Sequence, residues 1–146
     1  MRVLLAALIL ALAVCEVYPT AAPAANPSLV KRDYQVLPKP GEKIPLGPRH
    51  YFTYGFAKAP KLGNAVMRVE IFTREGVRDT SFTVKGDADM PSMRGAHAAG
   101  DQNFALSNKG VYLLPVRLVM PGDWEVSFVF LKDGKTVLRG CYLFDL

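Results

Sequence analysis

Residues 111–130 decide the fold: Val111-Tyr112-Leu113-Leu114-Pro115-Val116-Arg117-Leu118-Val119-Met120-Pro121-Gly122-Asp123-Trp124-Glu125-Val126-Ser127-Phe128-Val129-Phe130. Tyr112, Leu114, Val116, Leu118 and Met120 share one parity, and Trp124, Val126, Phe128 and Phe130 share one parity after Pro121-Gly122-Asp123. Side chains of a strand alternate between faces, so each set lies on one side of a pleated sheet. The stretch therefore predicts two strands joined by a turn, with Trp124 in the core.

The same period extends outward. Phe52, Tyr54 and Phe56 alternate with Tyr51, Thr53 and Gly55; Met67, Val69 and Ile71 alternate with Arg68 and Glu70; Phe82 and Val84 alternate with Ser81, Thr83 and Lys85. Turn signals separate the runs at Lys61-Leu62-Gly63-Asn64, Glu75-Gly76, Asn108-Lys109-Gly110 and Asp133-Gly134. Asp-Gly between apolar runs marks a tight hairpin, because its primed turn needs positive φ. No segment after residue 50 carries helical periodicity. About six or seven short strands with regular turns predict an all-β, antiparallel β-sandwich.

The front of the chain has a different character. Arg2 precedes an apolar, uncharged run over 3–14, the length of a signal-peptide core and shorter than the ~20 residues of a membrane-spanning helix. Ala22-Pro23-Ala24 fits a cleavage site, so 1–24 is expected to be a signal peptide. The competing readings are lipidation at Cys15 after Leu12-Ala13-Val14, for which Val14 is a poor fit, and an uncleaved N-terminal anchor; the membrane is expected as a partner only through such a lipid or anchor. In each case the chain is expected to be exported, to the periplasm or cell envelope. Prolines at 27, 38, 40, 45 and 48 make 25–48 an expected extended linker, leaving one domain over 49–146. With Cys15 in the export segment, Cys141 is the one cysteine of that domain, and its strand-like setting predicts a buried thiol.

The net charge is +5, but the cations are scattered and not interleaved with aromatics, which points to solubility or weak attraction to anionic surfaces, not nucleic-acid binding. There is no Gly-x-Ser-x-Gly elbow, no His-Glu-x-x-His and no Cys-x-x-Cys, and Gly134-Lys135-Thr136 lacks the first glycine of a phosphate loop. Asp87 and Asp89 are expected to be solvated loop charges. The chain is not expected to be an enzyme.

One segment suggests chemistry. Met90-Pro91-Ser92-Met93-Arg94-Gly95-Ala96-His97 places two thioethers and an imidazole within eight residues, in a long connection between strands. Thioether sulfur is a soft ligand that selects copper(I), and imidazole accepts copper in either state. Met90, Met93 and His97 are thus candidate copper(I) ligands. Equally, methionine is an adaptable core or interface residue.

The combination of Gly63-Asn64, Asp89-Met90-Pro91-Ser92-Met93 with His97, Gly110-Val111-Tyr112 and Met120-Pro121-Gly122-Asp123-Trp124-Glu125-Val126 resembles the YtkA-like domain family, related to the FixH periplasmic domain. The resemblance covers about residues 50–132. It implies an exported immunoglobulin-like sandwich, a Met/His loop matching Met90, Met93 and His97, and a link to copper handling or oxidase assembly. This chain departs from the pattern in Arg94-Gly95-Ala96 and in having no further histidine nearby. Two functions follow as expectations: a copper(I) metallochaperone or assembly factor serving a copper-accepting or oxidase-assembly partner, or a metal-free module that binds another envelope protein.

Overall fold

The computed structural model describes residues 33–146. The expected signal peptide, Cys15 and the first part of the expected linker lie outside the described residues. The described chain forms two five-stranded sheets packed as a sandwich. One sheet contains β1 (Gln35–Val36), β10 (Lys135–Asp145), β9 (Asp123–Lys132), β5 (Thr83–Asp89) and β6 (Gln102–Asn103), in that order. The other contains β2 (Ile44–Leu46), β3 (His50–Phe56), β4 (Gly63–Thr73), β8 (Tyr112–Leu118) and β7 (Ala105–Leu106). The chain changes sheet between β1 and β2, after β4, between β6 and β7, and between β8 and β9. Among the described residues no helix is long and apolar enough to cross a membrane.

The alternating sets meet as the patterning predicts. Tyr112, Leu114, Val116 and Leu118, together with Phe52, Tyr54, Met67, Val69 and Ile71 of the same sheet, are buried against Trp124, Val126, Phe128 and Phe130 of the facing sheet. Met120 departs from its parity. It follows the end of β8 in the 119–122 turn and is exposed, while its carbonyl accepts a hydrogen bond from Trp124 Nε1 at 3.0 Å.

The linker expectation needs correction for 33–48. β1 pairs in parallel with β10, β2 pairs with β3, and Leu37, Ile44 and Leu46 are buried. The amide of Leu37 donates to the Cys141 carbonyl at 2.8 Å, and the Tyr54 hydroxyl donates to the Pro38 carbonyl. The prolines here shorten edge strands. They sit where an edge residue needs no ladder donor.

Phe128 lies between Gly86 on β5 and Gly140 on β10. A Cβ at Gly86 would lie 2.2 Å from the Ser127 carbonyl oxygen and 2.9 Å from the Phe104 ring, and one at Gly140 would lie 2.6 Å from Leu37. Phe104 and Leu37 thus fill the space that two missing side chains leave. At one end of the sandwich, Asp79 ties both sheets together. Its carboxylate accepts from the Ser81 amide at 2.8 Å, the Ser81 hydroxyl, and Lys132 Nζ at 3.3 Å, and lies 2.9 Å from His50 Nε2. Burial opposes the charge, but the bonds from Ser81 and Lys132 prevail and hold Asp79 at about 2.

Three outcomes are expected from equilibrium urea unfolding. Trp124→Ala should cost about 3–5 kcal/mol, in the range of large core truncations. Gly86→Ala should cost at least about 2 kcal/mol, because a backbone carbonyl cannot swing away as a side-chain tip can. Asp79 has a folded value below its unfolded value of 3.8, so its contribution is present above that pH and is lost as pH falls through about 2. Asp79→Asn should therefore remove roughly 2 kcal/mol at neutral pH and flatten this part of the acid limb.

Candidate functional site

The inward row Val84, Gly86, Ala88 continues to Met90, and the opposite face of β5 carries Asp87 and Asp89. Residues 90–101 then leave the sheet, opening with one turn of 3₁₀ helix at Pro91–Met93 and returning at β6. Inside this loop, the Met93 amide bonds to the Met90 carbonyl and the Ala96 amide to the Met93 carbonyl.

What fastens the loop to the sandwich is a set of carboxylates. Asp123 accepts from the Ser92 amide at 2.9 Å and the Ser92 hydroxyl at 2.5 Å. Glu125 receives both guanidinium nitrogens of Arg94, at 3.1 and 3.0 Å. Asp89 accepts from the Gly95 amide at 2.9 Å. Asp87 accepts from the Ala99 and Gly100 amides at 3.0 and 3.1 Å, as well as from Ala88. All four acids project from the neighbouring strands β5 and β9, where Asp89 stands opposite Glu125 and Asp87 opposite Ser127. Asp87, Asp89 and Glu125 are buried, contrary to the expectation that the two aspartates are solvated. The Gly and Ala at 86 and 88 hide the period-two run that carries both aspartates into the strand.

The electrostatics follow from these contacts. Two carboxylates directly opposite each other on adjacent strands repel. Arg94 relieves this, and its bonding to Glu125, outweighing burial, raises its own pKa above the ordinary value. The Ser92 hydroxyl holds the Asp123 carboxyl below the usual range. Burial pushes the Cys141 thiol up, as expected of a structural cysteine. Among the described residues, two buried side-chain polar atoms lack a hydrogen-bond partner: Asp89 Oδ1 and His97 Nε2.

The three candidate ligands have three different surroundings. Met90 is 3% exposed and belongs to the core, its methyl group beside Gly122. Met93 is 38% exposed and lines a shallow depression with Pro91, Ser92, Arg94 and Ala96. His97 lies 5.8 Å from the Trp124 ring and lines a cleft of about 180 Å³ between β5 and β8, with Asp87, Gln102 and Arg117. Among the described residues, no group of three His, Cys, Asp or Glu is placed to hold a metal ion. A site using both sulfurs would require Met90 to leave the core. The arrangement offers instead a fixed loop that displays Met93.

Comparisons with protein-family models, with curated proteins and with solved structures find no match for this chain.

Arg94→Met is expected to cost about 1–3 kcal/mol, because it leaves Glu125 buried without its donors. The double replacement Arg94→Met with Glu125→Leu should recover much of that loss. Urea unfolding of the three proteins checks both; a single variant as stable as the wild type would remove the pair from the account of the loop.

Proposed function

We propose that this chain is a binding module of the cell envelope whose recognition element is the loop over 90–101. The observation that carries the reading is the carboxylate clasp: seven hydrogen bonds from this loop end on Asp87, Asp89, Asp123 and Glu125. A loop held this way loses little conformational entropy on meeting a partner, which is the advantage of preorganisation. Met93 supplies an adaptable apolar contact at its exposed turn. Export, expected from 1–24, puts the partner among envelope proteins.

Copper(I) binding is the second reading, favoured by the exposed Met93 sulfur and the unpartnered Nε2 of His97. Here a copper site would use Met93 and His97, with Met90 joining only after the loop moves.

The two readings separate in one set of proteins. Met93→Asp should abolish retention of the envelope partner on the immobilised chain while leaving the melting temperature unchanged. A copper(I) competition titration should give weak binding that Met90→Leu with Met93→Leu does not alter. A tight one-to-one copper complex lost in that double variant would establish the copper reading in place of the loop reading.

A further inference from the structure

The end of the sandwich near Trp124 carries a second apolar surface, which adjoins the cleft beside His97 through Arg117. β3 ends there, β4 starts with Gly63 paired to Leu118, and the 119–122 turn joins the two sheets. Leu62, Val119 and Met120 stand exposed on these two turns, at 53%, 47% and 38%. Beside them, Ala57, Ala59, Ala65 and Val66 line an apolar groove of about 260 Å³ with Lys58 and Lys61. Arg117, opposite Asn64, adds a third exposed cation. None of the three cations has an ion-pair partner among the described residues. The carboxylates at this end, Asp89, Asp123, Glu125 and Asp145, belong to the other sheet; Asp123 is bonded to Ser92, Glu125 to Arg94 and Asp89 to the Gly95 amide.

These apolar side chains are held out on a fixed turn. The Met120 carbonyl accepts from Trp124 Nε1, and Gly122 exchanges backbone hydrogen bonds with Leu146 at 3.1 and 3.0 Å. The turn therefore holds Val119 and Met120 exposed in a fixed position.

We propose that this tip docks on a membrane surface rich in anionic lipid. Leu62, Val119 and Met120 enter the headgroup region, and Lys58, Lys61 and Arg117 lie against lipid phosphates. Charge complementarity selects this occupant: unpaired cations flanking exposed apolar side chains match an anionic interface, and long cationic side chains keep their stems on apolar surface while their heads reach phosphate. Single apolar residues on separate turns suit a lipid interface, which needs no matching shape, better than a stable protein interface of about 800 Å² per partner. The inference does not depend on the recognition loop, which faces its own partner.

The test is co-sedimentation of the full chain with phosphatidylcholine vesicles, with and without phosphatidylglycerol at roughly a third of the lipid. Binding should need phosphatidylglycerol, weaken as salt rises, and fall roughly tenfold in Lys58→Glu with Lys61→Glu. Leu62→Ser with Met120→Ser should reduce it several-fold, with melting temperatures unchanged in both variants. Every protein carries the same residues 1–32, so a loss confined to the variants arises at the tip. Equal binding to both vesicles, or variants that bind like the wild type, would overturn the proposal. So would absence of vesicle binding with charge-dependent retention on an acidic protein, which would make the partner a protein.

Discussion

The structure depends on β9 being buried on both faces. From Trp124 to Phe130 every residue of this strand is buried. One face meets the opposing sheet through Trp124, Val126, Phe128 and Phe130. The other face carries Glu125 and Ser127, which cannot be left dry without partners. Ser127 solves this locally, its hydroxyl lying between the amide and carbonyl of Asp87 on β5. Glu125 cannot, because its neighbour across β5 is another carboxylate, Asp89. A cation must come from outside the sheet, and Arg94 brings the loop with it.

From this one requirement the rest of the loop follows. Arg94 lies midway along 90–101, so docking it on Glu125 pulls the flanking amides over the remaining acids. Asp89 takes Gly95, Asp87 takes Ala99 and Gly100, and Asp123 takes Ser92. Gly95 and Gly100 both have positive φ, which lets the backbone turn its N–H groups toward the sheet. The result combines an irregular backbone with many charge-assisted bonds, the strong kind. Such a loop holds its shape without being part of a sheet, which is what a recognition surface needs.

The sandwich was legible in the sequence because alternation is a local property. Trp124, Val126, Phe128 and the Tyr112 to Leu118 row could be placed on the core side from their parity alone. The two N-terminal strands were not legible. β1 and β2 have two and three residues, too few for any period to emerge, and prolines in 38–48 mimic a linker. The candidate site was legible only as a location. The Met-Pro-Ser-Met segment marked the loop, but a ligand and a core methionine have the same name in a sequence. Met90 is decided by the inward row of β5, where Gly86 is small because the Phe104 ring lies over it. Arg94 read only as a departure from the loop pattern; the carboxylate that receives it, Glu125, is 31 residues away in the chain.

The central claim is that carboxylates hold the loop in one conformation before any partner arrives. Residue-resolved amide hydrogen exchange at neutral pH tests it most directly, because backbone N–H groups at four positions are the donors. The amides of Ser92, Gly95, Ala99 and Gly100 should be protected well above the level of an exposed loop. On replacing Glu125 with Gln, protection at Gly95 should fall while that of Val126 and Phe128 in the core persists. Uniformly fast exchange across 91–101 in the wild-type protein would contradict the account.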